Sequence, residues 1–90
     1  MEKILTLRKR IDEIDEKILY LLKERMEICK SIGVIKQEYE IPVRDRSREK
    51  EQYKRIMEKA LELGLDPHEV KAVYRKIIGM SIHIQKANVT

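Results

Sequence analysis

The feature that most constrains this chain is one apolar seam running through its first 39 residues. Ile4, Leu7, Ile11, Ile14, Ile18, Leu21, Arg25, Ile28, Ile32, Ile35 and Tyr39 follow an unbroken three-then-four spacing. This is the repeat of a helix that lays one edge against other helices. Acidic and basic residues fill the solvent phases between them, as in EIDEK and LKERME. Gly33 interrupts at a cost of about 1 kcal/mol against Ala, which a helix tolerates and which suits close packing. Pro42 disfavours helix at Ile41 and ends the run. A helix from about residue 3 to 39 is roughly 55 Å long. A compact chain of 90 residues has a radius of gyration of only about 12 Å. The helix therefore overhangs anything one such chain folds around it, and the expectation is an intimate two-fold dimer in which a second copy covers the seam.

The remaining sequence predicts two more helices and no strand. The second starts in VRDRSREKE with Asp45 or Ser47 as N-cap, runs over about 45–63 and turns Glu49, Tyr53, Ile56, Ala60 and Leu63 inward before Gly64. The third runs over about 67–87, with Asp66 as N-cap, Pro67 at the first helical position and Glu69 in a box-like cap. Val70, Val73, Ile77, Met80 and Ile84 form its expected buried stripe, and the final ANVT is expected to fray. The fold class expected is all-α: a single domain over residues 1–90, three helices per chain, intertwined as a homodimer. No apolar run approaches the roughly 18 residues that span a bilayer, and no signal-peptide core is present. Cys29 is the one cysteine, too few for a disulfide framework or a zinc site and compatible with a reducing cytoplasm. The expectations are a cytoplasmic protein with no membrane partner, no metal and no cofactor.

Function is carried by polar residues that fall in apolar phases. Arg25 occupies a seam position between Leu21 and Ile28. A buried ion pair or register-setting charge and an anion site explain it equally well. Lys36 follows eleven residues later, on the same face and about 16 Å along the axis, so the two long side chains can grip the ends of a small anion. Alone, Lys36 also suits a snorkelling surface lysine. Arg8 precedes Arg25 by seventeen residues, about 25 Å, beyond the reach of one small ligand. An antiparallel partner helix could bring its Arg8 to the Arg25 region, while in isolation Arg8 reads as a surface charge paired with Asp12. Glu49 points a carboxylate inward from the second helix, with Arg25 the obvious cation to meet it. Asp45 and Arg48 make RDRSRE a dense polar helix start, either a solvated cap or a ligand site. On the third helix Tyr74, Ile78, Ser81 and Gln85 form a second stripe, in which Ser81 and Gln85 present a hydroxyl and an amide. His68 and His83 have no partner at metal spacing. The inward set lacks a nucleophile–base pair, a phosphate loop and a metal cluster. It suits a small dianion bearing a hydroxyl, held by orientation and fixed charge.

The strings LRKRIDEIDEKILYLLKER, GVIK, PVRDRSRE and IIGMSIHIQ, in this order and spacing, resemble the all-helical AroQ-class chorismate mutases over nearly the whole chain. The resemblance implies an intertwined dimer with two equivalent sites that convert chorismate to prephenate without a cofactor. It implies that Arg8 of the partner subunit and Arg25 hold the two substrate carboxylates, assisted by Ser81 and Arg48. Lys36 and Gln85 would donate to the ether oxygen, and Glu49 with the Asp45 region would take the ring hydroxyl. Ile32, Ile78 and Ile82 would supply apolar walls. An isochorismate pyruvate lyase of the same fold is the nearest alternative, and Glu49 favours the mutase. A basic nucleic-acid-binding module is permitted by the net charge of +4, but acids are mixed into every helix and no stacking platform emerges, so no nucleic-acid partner is expected. A siteless coiled-coil adaptor would have no use for the inward polar set.

Overall fold

The computed structural model describes residues 1–87. The structure is all-helical, with α1 at Glu2–Glu38, α2 at Arg46–Glu62 and α3 at Pro67–Lys86. The expected fraying of the last residues falls largely outside the described part of the chain.

Each break has a local cause. Past α1, Ile41 N–H donates to the Lys36 carbonyl (2.7 Å) and Glu40 N–H to that of Gln37 (3.3 Å), a Schellman closure. It puts Glu40 at φ 54°, a left-handed conformation that costs a residue with a Cβ about 1 kcal/mol. The same closure ends α2, where Leu65 N–H reaches the Ala60 carbonyl (2.9 Å) and Gly64 N–H that of Leu61 (3.1 Å). Here glycine occupies the left-handed position, at φ 75°. Asp45 caps α2 by accepting from Arg48 N–H (3.0 Å). Asp66 caps α3 by accepting from the N–H groups of His68 (2.9 Å) and Glu69 (3.3 Å), with Pro67 at the helix start.

Among the described residues α3 packs on both α1 and α2, and those two do not pack on each other. The molecule measures 56 × 26 × 14 Å, so its thinnest dimension is little more than one helix diameter of about 10–12 Å. A single layer of helices covers only its edges. The buried residues are Cys29, Gly33, Ala60, Ile78, Ser81 and Gln85. The accessible surface is 7830 Å², whereas a compact monomer of 10.8 kDa exposes roughly 5,500 Å².

The apolar residues of the α1 seam are left uncovered by this chain: Ile11 is 55% and Leu21 63% exposed, and Ile28, Ile32 and Ile35 are exposed as well. α1 instead turns Leu22, Arg25, Met26, Cys29, Gly33 and Lys36 inward. On α3 the stripe expected to be buried is partly outside, with Val73 58% and Met80 44% exposed. The polar-bearing stripe of Ile78, Ser81 and Gln85 lies between the helices in its place. Leu63, expected inward on α2, is also exposed. No helix among the described residues is long and apolar enough to cross a membrane.

Candidate functional site

The C-terminal half of α1, the loop after it, the start of α2 and the last turns of α3 enclose a cleft of about 280 Å³, the small end of the range for ligand pockets. Arg25, Ile32 and Lys36 come from α1, and Asp45, Arg48 and Glu49 from the α2 cap and first turn. Ile78, Ser81, Ile82 and Gln85 come from α3. Every candidate residue from the sequence therefore reaches this cleft except Arg8. That residue is exposed on the overhanging half of α1, about 25 Å before Arg25 along the axis. The expected Arg8–Asp12 pair is not among the ion pairs of the described residues.

The cleft is wired by two cation-to-α3 contacts. Arg25 Nη1 donates to Ser81 Oγ and lies 3.9 Å from Cys29 Sγ. The Ser81 hydroxyl spends its own proton on the Ile77 carbonyl (3.0 Å), the back-bond that serine makes within a helix. Its oxygen is thereby turned into an acceptor for the guanidinium. Lys36 Nζ donates to Gln85 Oε1 (2.9 Å) and to the Val43 carbonyl (2.6 Å). An ammonium has three hydrogens, so one is left for the cleft. The Gln85 oxygen faces Lys36, and its amide hydrogens are left for a further acceptor. One ammonium and one carboxamide can then converge as donors on the same ligand atom.

The electrostatics favour an anion. Arg25, Lys36, Arg44 and Arg48 face only Asp45 and Glu49, and both carboxylates are already engaged. Asp45 caps α2. Glu49 does not meet Arg25 as expected; both its oxygens accept from Arg44, at 3.0 Å from Nε and 3.1 Å from Nη2. This pairing and the attraction of Glu49 raise the Arg44 pKa above its ordinary value. Arg48 makes a loose pair with Glu51 (4.0 Å) at the exposed rim. Arg25 and Lys36 enter no ion pair among the described residues. Both are half-buried, and two such cations lining one cleft without counter-charges suit an anionic ligand.

Four lining residues escaped the sequence reading: Cys29, Val43, Arg44 and Gln52. Cys29 and Gln52 were within reach of it. The spacing 25, 29, 32, 36 is 4,3,4 on one face of α1, and Gln52 is one turn beyond Arg48 and Glu49 on α2. Val43 and Arg44 sit in a loop, where helical phase carries no information.

A family model described as chorismate mutase type II matches residues 7–86. The chain is 37% identical over 86 residues to a chorismate mutase of Methanocaldococcus jannaschii, covering 96% of this chain and 87% of that protein. It is 39% identical over 89 residues to a bifunctional chorismate mutase/prephenate dehydratase of Aquifex aeolicus. There it covers 96% of this chain but spans only a quarter of the relative's length. Among solved structures, a conserved hypothetical protein from Pyrococcus furiosus superposes with a TM-score of 0.74 at 34% identity, covering 94% of this chain and 97% of that one.

Proposed function

The chain belongs to the chorismate mutase type II family, and from that premise we propose that it acts as one domain converting chorismate to prephenate. The observation that carries this reading is the pairing of Arg25 with Ser81 and Lys36 with Gln85 in one cleft whose cations outnumber its carboxylates. Chorismate is a dianion with a ring hydroxyl and an ether oxygen. Arg25, held in place by the Ser81 hydroxyl oxygen, takes one carboxylate, and Arg48 helps at the rim. Arg8 of the partner subunit takes the other. Glu49 and the Asp45 region accept the ring hydroxyl, while Ile32, Ile78 and Ile82 hold the apolar faces of the ring.

The reaction is an intramolecular rearrangement. The C–O ether bond breaks as a C–C bond forms, and no proton, electron or group is lost. The work for a protein is to hold the compact chair, which a carboxylate clamp does. It must also meet the negative charge that grows on the ether oxygen. The third hydrogen of Lys36 and the amide of Gln85 serve that role, and they bind the transition state more strongly than the substrate. Nothing in this scheme calls for a metal or cofactor.

The same reading includes a homodimer. The exposed α1 seam and the surface of 7830 Å² leave roughly 2,300 Å² more than a compact monomer shows, the scale of an obligate subunit interface. An antiparallel second α1 would cover the seam and bring Arg8 of the partner subunit toward the cleft, which the chain alone leaves without that clamp. We place the enzyme in the cytoplasm, where Cys29 stays a thiol.

The test is direct. Chorismate and, separately, isochorismate are incubated with the protein in the presence of a chelator and without added cofactor, loss of substrate is followed, and the products are identified. Prephenate is expected. Release of free pyruvate from isochorismate, with chorismate untouched, would assign the lyase chemistry instead. Persistence of both substrates would end the proposal.

A further inference from the structure

Glu49 is the wall between two grooves. On one side lies the cleft with Arg25, Lys36 and Arg48. On the other a groove of about 240 Å³ is lined by Tyr53, Arg75, Gly79, His83 and Lys86. Cations stand on both sides, so electrostatic attraction alone does not tell the carboxylate which groove to serve. Arg44, which also borders both grooves, supplies the missing constraint. Its fork takes both carboxylate oxygens, and a planar two-bond contact fixes the plane of a carboxylate as a single bond does not. The glutamate side chain is 13% exposed and the arginine 47%, so Arg44 acts as the outer cover of the pair.

Arg44 is itself firmly placed, although it lies in a loop. The residue before it is tied by its carbonyl to Lys36 (2.6 Å). The residue after it caps α2 (3.0 Å). A rigid backbone on both sides lets a long side chain hold a defined fork at little further entropic cost.

We propose that Arg44 is a positioning residue for hydroxyl recognition. Its fork occupies one lone pair on each Glu49 oxygen and orients the remaining lone pairs, so that Glu49 accepts the substrate's ring hydroxyl from the cleft side. This rests on the reading of the cleft as a chorismate site. Arg44 touches no substrate in this account and acts only through Glu49. A purely structural Arg44 would do no more than tie the loop to α2.

A double-mutant cycle in kcat/KM separates the two. Arg44→Ala is expected to lower kcat/KM for chorismate about tenfold. In the Glu49→Ala background it is expected to add less than twofold, because nothing is left to orient. With the chorismate analogue lacking the ring hydroxyl, Arg44→Ala should again cost less than twofold. Arg44→Lys keeps the charge but loses the fork, and should recover only a small part of the loss. Equal, additive losses in both backgrounds and with both substrates would overturn the proposal, as would full rescue by lysine or a Glu49→Ala variant as active as the parent. If Arg44→Ala does not fold, Arg44→Gln enters the same cycle. A parent protein inert toward chorismate would instead defeat the functional reading beneath it, so the two failures are distinct.

Discussion

The two halves of α1 share one pattern and meet different fates. From Ile4 to Leu21 the seam projects past the rest of the chain, and its isoleucines and leucines are exposed. From Leu22 to Lys36 the same helix lies on α3 and contributes Arg25, Ile32 and Lys36 to the cleft. Yet in this half too the fully buried residues are displaced from the seam, with Cys29 and Gly33 buried while Ile28 and Ile35 stay exposed. The helix thus has two working edges. One is completed within the chain by Ser81 and Gln85; the other is left over along its whole length. Periodicity reveals an apolar stripe but does not say whose atoms cover it.

The sharpest way to break this comparison is to charge the overhang. Ile14→Glu lies far from the cleft, and in a lone functional chain it would be a harmless surface change. With a second copy over the seam it buries an uncompensated carboxylate. The expected outcome is a monomer by sedimentation and a loss of activity of about a hundredfold or more. Changes in the cleft half should act on chemistry and leave assembly alone. Lys36→Ala is expected to lower kcat by about 10²–10³ with the sedimentation coefficient unchanged, and Gln85→Ala should lower kcat to a lesser degree. An unchanged kcat in Lys36→Ala would refute the role given to that lysine. Ser81→Ala removes a ground-state contact to Arg25 and should raise KM several-fold, with kcat within about twofold. The smallest effect belongs to the joint after the cleft half. Glu40→Gly relieves a left-handed residue at φ 54° and should add about 0.5–1 kcal/mol, read as a rise of a few degrees in Tm.

How far the sequence reached follows from the same contrast. The helices and their ends were legible because Pro42, Gly64 and the Asp66–Pro67 pair punctuate them with known backbone chemistry. The cleft was legible where a charged or polar group fell in an apolar phase, as with Arg25, Lys36, Glu49, Ser81 and Gln85. α3 shows where this fails. Two adjacent stripes have helical spacing, and the more apolar one was expected inside. The chain covers Ser81 and Gln85, because α1 supplies Arg25 and Lys36 to meet them, and leaves Val73 and Met80 of the more apolar stripe exposed. Hydrophobicity ranks a stripe by its own residues, whereas burial depends on its partners. The partner of Glu49 was out of reach for a related reason. Arg44 lies beyond the helix cap, and its fork depends on a loop path set by the closure at Glu40 and by the Lys36–Val43 bond.

The central claim is that a working site is shared, with Arg25 from one chain and Arg8 of the partner subunit. Mixing two disabled variants tests it most directly. Arg8→Ala and Arg25→Ala are each expected to be nearly inactive. Unfolded together in equal amounts and refolded, half of the two-fold dimers should carry one of each, and each of those has one intact site. The predicted result is recovery to about a quarter of the parent activity, with neither variant recovering alone. A mixture as inactive as its components, with mixed dimers present, would place both arginines in the site of a single chain and contradict the account.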